Sequence, residues 1–153
     1  MNCGQNSYTS VQRNQLTNPQ ESDVNSPDLH ILIAEDELSH SVIMRRRLEK
    51  EYPDARIEVV TSIRDYRNSV AAATPTIVLL DLNLTDGCTL DMLKDSAAPP
   101  PFPVIMLSSY ASSQVAADAT DNGAVDFIIK SPEVFLSLVE IVEKTLRDWN
   151  LRS

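Results

Sequence analysis

The sequence predicts a doubly wound α/β domain, a five-stranded parallel sheet with five helices divided between its two faces. Three observations lead there. Short apolar runs recur at His30–Ala34, Ile57–Val60, Thr76–Leu80, Val104–Leu107 and Val125–Ile129. They are rich in Ile, Val and Leu with little polar alternation, which is how strands buried on both faces of a parallel sheet read. Stretches of helical length separate them, so strand and helix alternate along the chain. That alternation calls for right-handed crossovers between parallel neighbours.

The first helix is expected over Leu38–Glu51, where Val42, Ile43, Met44 and Leu48 supply an apolar side. Arg64–Ala73 carries a weaker helical pattern, and Thr89–Ser96 presents Leu90 and Leu93. Ser113–Asn122 is rich in alanine and stops before Gly123, a good C-terminal signal. The last helix is the clearest. Ser131 can cap it, Pro132 suits its first turn, and Glu133 favours the positive end of its dipole. Phe135, Leu138, Val142, Leu146 and Trp149 then follow helical spacing. Pro99, Pro100, Pro101 and Pro103 read as a stiff connector ahead of the fourth strand.

Residues 1–27 are rich in Asn, Gln and Ser and poor in apolar side chains. Such a stretch buries too little surface to offset its ordering entropy, so a disordered polar tail is expected there. The domain is expected over residues 28–150, with 151–153 as its C-terminal end.

The chain of 153 residues has a net charge of −9. That balance disfavours a direct nucleic-acid grip, which needs clustered Lys and Arg, and an anionic membrane surface. Cys3 and Cys88 fall in different kinds of segment with no CxxC, so two free thiols in a reducing compartment are expected. No apolar run approaches the ~20 residues of a membrane span, and no signal-peptide core opens the chain. A cytoplasmic location is the expectation.

In an open parallel sheet, ligands bind beyond the carboxyl ends of the strands. Glu35, Asp36 and Glu37 follow the first run, Asp81 the third, Ser108 and Ser109 the fourth, and Lys130 the fifth. Taken singly, each has an ordinary explanation as a cap, a turn residue or a solvated strand end. Their joint appearance at one sheet edge is what singles them out. Carboxylates gathered there repel each other unless a cation joins them, and an all-oxygen site suits Mg²⁺. A carboxylate can attack phosphorus and form an aspartyl-phosphate, while a metal, a lysine and a hydroxyl offset charge on the transferring group.

The runs ILIAEDE, IVLLDLNLTDG, VIMLSS and GAVDFIIK resemble those of response-regulator receiver domains of two-component signalling systems. The similarity extends from about His30 to Trp149 with every element in order. It implies a flavodoxin-like, CheY-like fold with strand order 2-1-3-4-5. It implies that Asp81 accepts the phosphoryl group and that Glu35, Asp36, Asp81 and the backbone carbonyl of Asn83 hold Mg²⁺. Lys130 matches the lysine that contacts the phosphoryl group, Ser108 the switch hydroxyl, and Phe127 the aromatic switch.

The resemblance also implies partners. A histidine kinase or histidine phosphotransfer protein would donate the phosphoryl group, with Arg45, Arg46 and Arg47 on a helix that commonly docks the kinase. These 153 residues include no output domain, so a receiver acting on a downstream protein is expected, stand-alone unless the chain is an excised part of a larger protein, with no nucleic acid or membrane bound directly. The face of the fourth helix, fifth strand and fifth helix is a candidate dimer surface. Catalysis is expected only of the protein's own phosphorylation and dephosphorylation.

Departures from the family pattern are specific. The acidic pair is Glu35–Asp36 where Asp–Asp is common, and Thr85 stands where Pro is frequent. Ser131 intervenes between Lys130 and Pro132. A cis Lys130–Ser131 bond would cost about 3 kcal/mol. Two other readings compete. A pseudo-receiver would bind partners without taking phosphate, and Mg²⁺-dependent labelling by acetyl phosphate discriminates it. A haloacid-dehalogenase-type phosphatase needs a second acid two residues after its nucleophile, where this chain has Asn83.

Overall fold

A computed structural model of the protein describes residues 28–110 and 112–152. The expected polar tail, and Cys3 within it, lie outside the described residues.

Five parallel strands build the sheet: β1 (His30–Ala34), β2 (Arg56–Val60), β3 (Ile77–Asp81), β6 (Val104–Ser108) and β7 (Asp126–Ile129), in the order β2-β1-β3-β6-β7. This is the expected 2-1-3-4-5 order once a short antiparallel pair is set aside. That pair, β4 (Asn83–Leu84) and β5 (Gly87–Cys88), follows β3 and was not evident in the sequence. Gly87 has φ +152°, and a Cβ there would lie 3.2 Å from Ile63 Cδ1, so the turn suits glycine.

The helices are α1 (Leu38–Glu51), α2 (Ile63–Ala72), α3 (Thr89–Asp95), α4 (Ser113–Asp121), α5 (Pro132–Leu136) and α6 (Leu138–Leu151). Six helices among the described residues replace the five expected, because the last one breaks at Ser137. The Ser137 amide donates to Glu133 and Val134 carbonyls, at 3.0 and 3.1 Å, and closes α5 as a short unit. The Leu136 carbonyl is taken by Arg47 Nη2 of α1 at 2.6 Å instead of by a further helical amide. Ser131 caps α5, its hydroxyl accepting from the Val134 amide at 3.1 Å. No cis peptide occurs among the described residues, so Lys130–Ser131 is trans.

Strand side chains alternate between two cores. Ile31, Ile33, Ile77, Leu79, Ile105 and Leu107 face one way and pack with Met44 and Leu48 of α1 and Leu138, Val142 and Leu146 of α6. Leu32, Val78, Leu80, Val104 and Met106 face the other way, against Tyr66, Leu90, Leu93 and Ala119 of α2, α3 and α4. Every residue of β1, β3 and β6 is buried. That explains the unbroken apolar runs: a central strand covered on both faces has no solvent side to mark with polar residues. The carboxyl ends of β1, β3, β6 and β7 are thereby held side by side.

Candidate functional site

The register sets the site. Asp81 is the last residue of β3 and lies opposite Leu107, one residue before Ser108 ends β6. Ser108 lies opposite Ile129, and its carbonyl accepts from the Lys130 amide at 2.7 Å. Glu35 leaves β1 with its amide bonded to the Val60 carbonyl at 2.9 Å. The polar residues expected at this edge are delivered there by backbone pairing of the strands that precede them.

Glu35 and Asp81 are both buried, at 1% and 8% exposure, while Asp36 is exposed. One carboxylate oxygen from each lies within 4.8 Å of the others. Lys130 Nζ enters this group, 2.7 Å from Glu35 Oε1 and 3.3 Å from Asp81 Oδ1. The other Glu35 oxygen, Oε2, accepts from the Glu37 amide at 3.0 Å. Three carboxylates thus face one ammonium. Burial pushes the Asp81 carboxyl up to about 7; the neighbouring Glu35 carboxylate pushes the same way, and Lys130 pulls it back. This excess of hard oxygen donors over cations, two of them buried, is the chemistry of a Mg²⁺ site and fits that ion.

The remaining predicted residues are arranged less tightly. Ser108 is buried, and its Oγ accepts from the Tyr110 amide at 3.4 Å. Asn83 is exposed in the β4–β5 hairpin, two residues past Asp81. Phe127 is half-buried, opposite Met106, and packs against the core on the α2, α3 and α4 side.

Two residues at the site were not anticipated. Thr89, fully buried at the start of α3, donates its hydroxyl to the Asp81 carbonyl at 2.7 Å, with the Leu82 carbonyl at 3.1 Å. It ties the loop after Asp81 back onto the fold. His40, in the first turn of α1, places Nδ1 3.3 Å from Lys130 Nζ and 3.7 Å from Glu35 Oε1. Only a general hint of His40 lies in the sequence: α1 begins four positions after β1 ends, which keeps its first turn near the sheet edge without saying which side chain enters the site.

The family model for the response regulator receiver domain matches residues 31–142. The chain belongs to the response-regulator receiver family. Among curated receiver relatives, the methanogenesis regulatory protein FilR1 of Methanothrix harundinacea is 32% identical over 123 residues, 78% of this chain and 28% of that protein. The chain therefore spans less than a third of that relative's length. A CheY-like receiver domain protein from Methanospirillum hungatei superposes with a TM-score of 0.72 at 22% identity, over 82% of this chain and 99% of that one. The Mn(2+)-bound form of response regulator Rcp1 superposes with a TM-score of 0.66 at 18% identity, over 76% of this chain and 92% of that one. Receiver membership and the doubly wound fold agree.

Proposed function

We propose that this receiver accepts a phosphoryl group on Asp81 from a phosphohistidine and uses it to switch protein–protein contacts. The observation that carries this reading is the Lys130 ammonium lying between Glu35 and Asp81, with Asp36 within reach of both carboxylates. An acidic nucleophile, two further carboxylates and one ammonium form a complete set for transfer to a carboxylate.

Glu35, Asp36, Asp81 and the Asn83 carbonyl are the residues that would hold Mg²⁺. Bound there, the ion would neutralise charge on the phosphoryl oxygens and keep Asp81 ionised. An Asp81 carboxylate oxygen attacks phosphorus, an O–P bond forms, and the donor leaves with its electron pair. Lys130 offers an N–H to a phosphoryl oxygen, and the Ser108 hydroxyl offers another. Phe127 follows Ser108 inward, which biases two existing conformations of the β6–β7 edge.

The donor is a histidine kinase or histidine phosphotransfer protein, docking on α1 beside Arg45, Arg46 and Arg47. The face of α4, β7, α5 and α6 meets a downstream protein or a second copy. Turnover is confined to the protein's own phosphoryl group. The reading extends to a receiver domain over residues 28–150, a reduced Cys88 and a cytoplasmic location. Among the described residues no helix is long and apolar enough to cross a membrane.

Acetyl phosphate with Mg²⁺ tests the assignment. The wild-type chain takes one phosphoryl group, and Asp81→Asn takes none. Labelling of Asp81→Asn at the same site would sink the reading.

A further inference from the structure

An ammonium carries three protons and makes its best interactions when each meets an acceptor. Lys130 Nζ has two carboxylate acceptors, Glu35 at 2.7 Å and Asp81 at 3.3 Å. Its third neighbour is His40 Nδ1 at 3.3 Å. An ammonium can only donate, so a hydrogen bond across this distance uses the Nδ1 lone pair, with the ring proton on Nε2.

The ring is held in this attitude from two sides. Its backbone amide donates to the Glu37 carbonyl at 3.1 Å in the first turn of α1. Its face meets Phe135 of α5, with ring centroids 5.5 Å apart and planes tilted by 45°. His40 is thus braced by the helix that begins just past Lys130, while its own helix begins just past Glu35.

We propose that His40 is a positioning residue for phosphoryl transfer: its Nδ1 accepts a hydrogen bond from Lys130 and holds the ammonium where it meets the phosphoryl group. This rests on the reading of Asp81 as phospho-acceptor. Before transfer, Lys130 is drawn most closely to Glu35. During transfer an Asp81 oxygen bonds to phosphorus and the donor's leaving group, imidazole from phosphohistidine or acetate from acetyl phosphate, departs with the electron pair of its broken bond to phosphorus. Lys130 keeps all three protons throughout. It exchanges its contact with Asp81 for one with a phosphoryl oxygen, and His40 is the acceptor that stays in place meanwhile. Without it, the ammonium is left to the Glu35 carboxylate and is displaced from the phosphorus.

The test uses the full chain, acetyl phosphate and Mg²⁺, with phosphorylation followed on a phosphate-affinity gel. Asparagine sets its Oδ1 close to where histidine has Nδ1, so His40→Asn keeps an acceptor, whereas His40→Leu removes it. At saturating acetyl phosphate, His40→Leu is expected to slow labelling about tenfold, the scale of one hydrogen bond to a charged group. His40→Asn is expected to stay within about twofold of wild type on the same scale. In a Lys130→Met background, His40→Leu is expected to have no further effect, because its action runs through the lysine. Unchanged labelling in His40→Leu, no rescue by His40→Asn, or an equal loss in the Lys130→Met background would each overturn the proposal. Thermal melting of each variant separates lost folding from lost rate. A wild-type protein that takes no label overturns the Asp81 reading and this one with it; a labelled wild type with an unaffected His40→Leu overturns this one alone.

Discussion

Lys130 lies nearer to Glu35 than to Asp81, 2.7 Å against 3.3 Å. Glu35 has a side chain one methylene longer than the aspartate common at this position, and it reaches the lysine across the site. Its side chain is fully buried and that of Lys130 is 5% exposed. Removing one partner of such a pair leaves a buried, uncompensated charge. Lys130→Met is expected to lower stability by about 3 kcal/mol at pH 7, measured by urea unfolding without divalent ions. Added Mg²⁺ should restore part of the loss by binding the uncompensated carboxylates.

The raised Asp81 carboxyl makes stability depend on pH. Its folded value is about 7 against an ordinary 3.8. Between these values the native state holds a proton that the unfolded chain has released. Stability therefore falls as pH rises from about 4 to 7, and the penalty is complete above that window. Asp81→Asn removes it. In EDTA, the melting temperature of Asp81→Asn should exceed that of wild type by several degrees at pH 8, with the gap closing toward pH 4. Saturating Mg²⁺ should narrow the gap at pH 8 by stabilising the wild type.

Thr89 anchors the backbone carbonyls of Asp81 and Leu82 through one hydroxyl. Thr89→Val keeps the shape and deletes the donor. It should cost about 1–2 kcal/mol, since a buried acceptor loses its partner. The Mg²⁺ concentration giving half-maximal labelling should rise as well, because the Asn83 carbonyl lies on the loop that Thr89 restrains. Thr89→Ser should behave like wild type in both measurements.

Ser131 occupies the place where a proline commonly follows the lysine, and it caps α5 from a trans peptide. Ser131→Ala should lower stability by about 1 kcal/mol, the value of an N-cap. Ser131→Asp should retain it, with the difference read from chemical denaturation.

The strands were legible because β1, β3 and β6 are buried on both faces, which forces near-continuous Ile, Val and Leu. Asp81, Asp36, Glu35 and Lys130 were legible because parallel topology gathers strand ends, and sequence position gives strand ends directly. The break at Ser137 was not legible. Phe135, Leu138 and Val142 keep helical spacing across it, and the residue that takes the freed Leu136 carbonyl, Arg47, is 89 positions away. Thr89 and His40 escaped for a similar reason. Each acts across the tertiary fold on a backbone carbonyl or a side chain that no local pattern connects to it.

The Arg47 bond to Leu136 has a mechanical meaning. It fastens the far end of the five-residue α5 to α1, while the near end follows Lys130 after a single residue. A strut pinned at one end turns when its other end is pulled. Were Lys130 displaced along the sheet edge, α5 would be held at its far end by Arg47, and the break at Ser137 would separate that movement from α6 on the core.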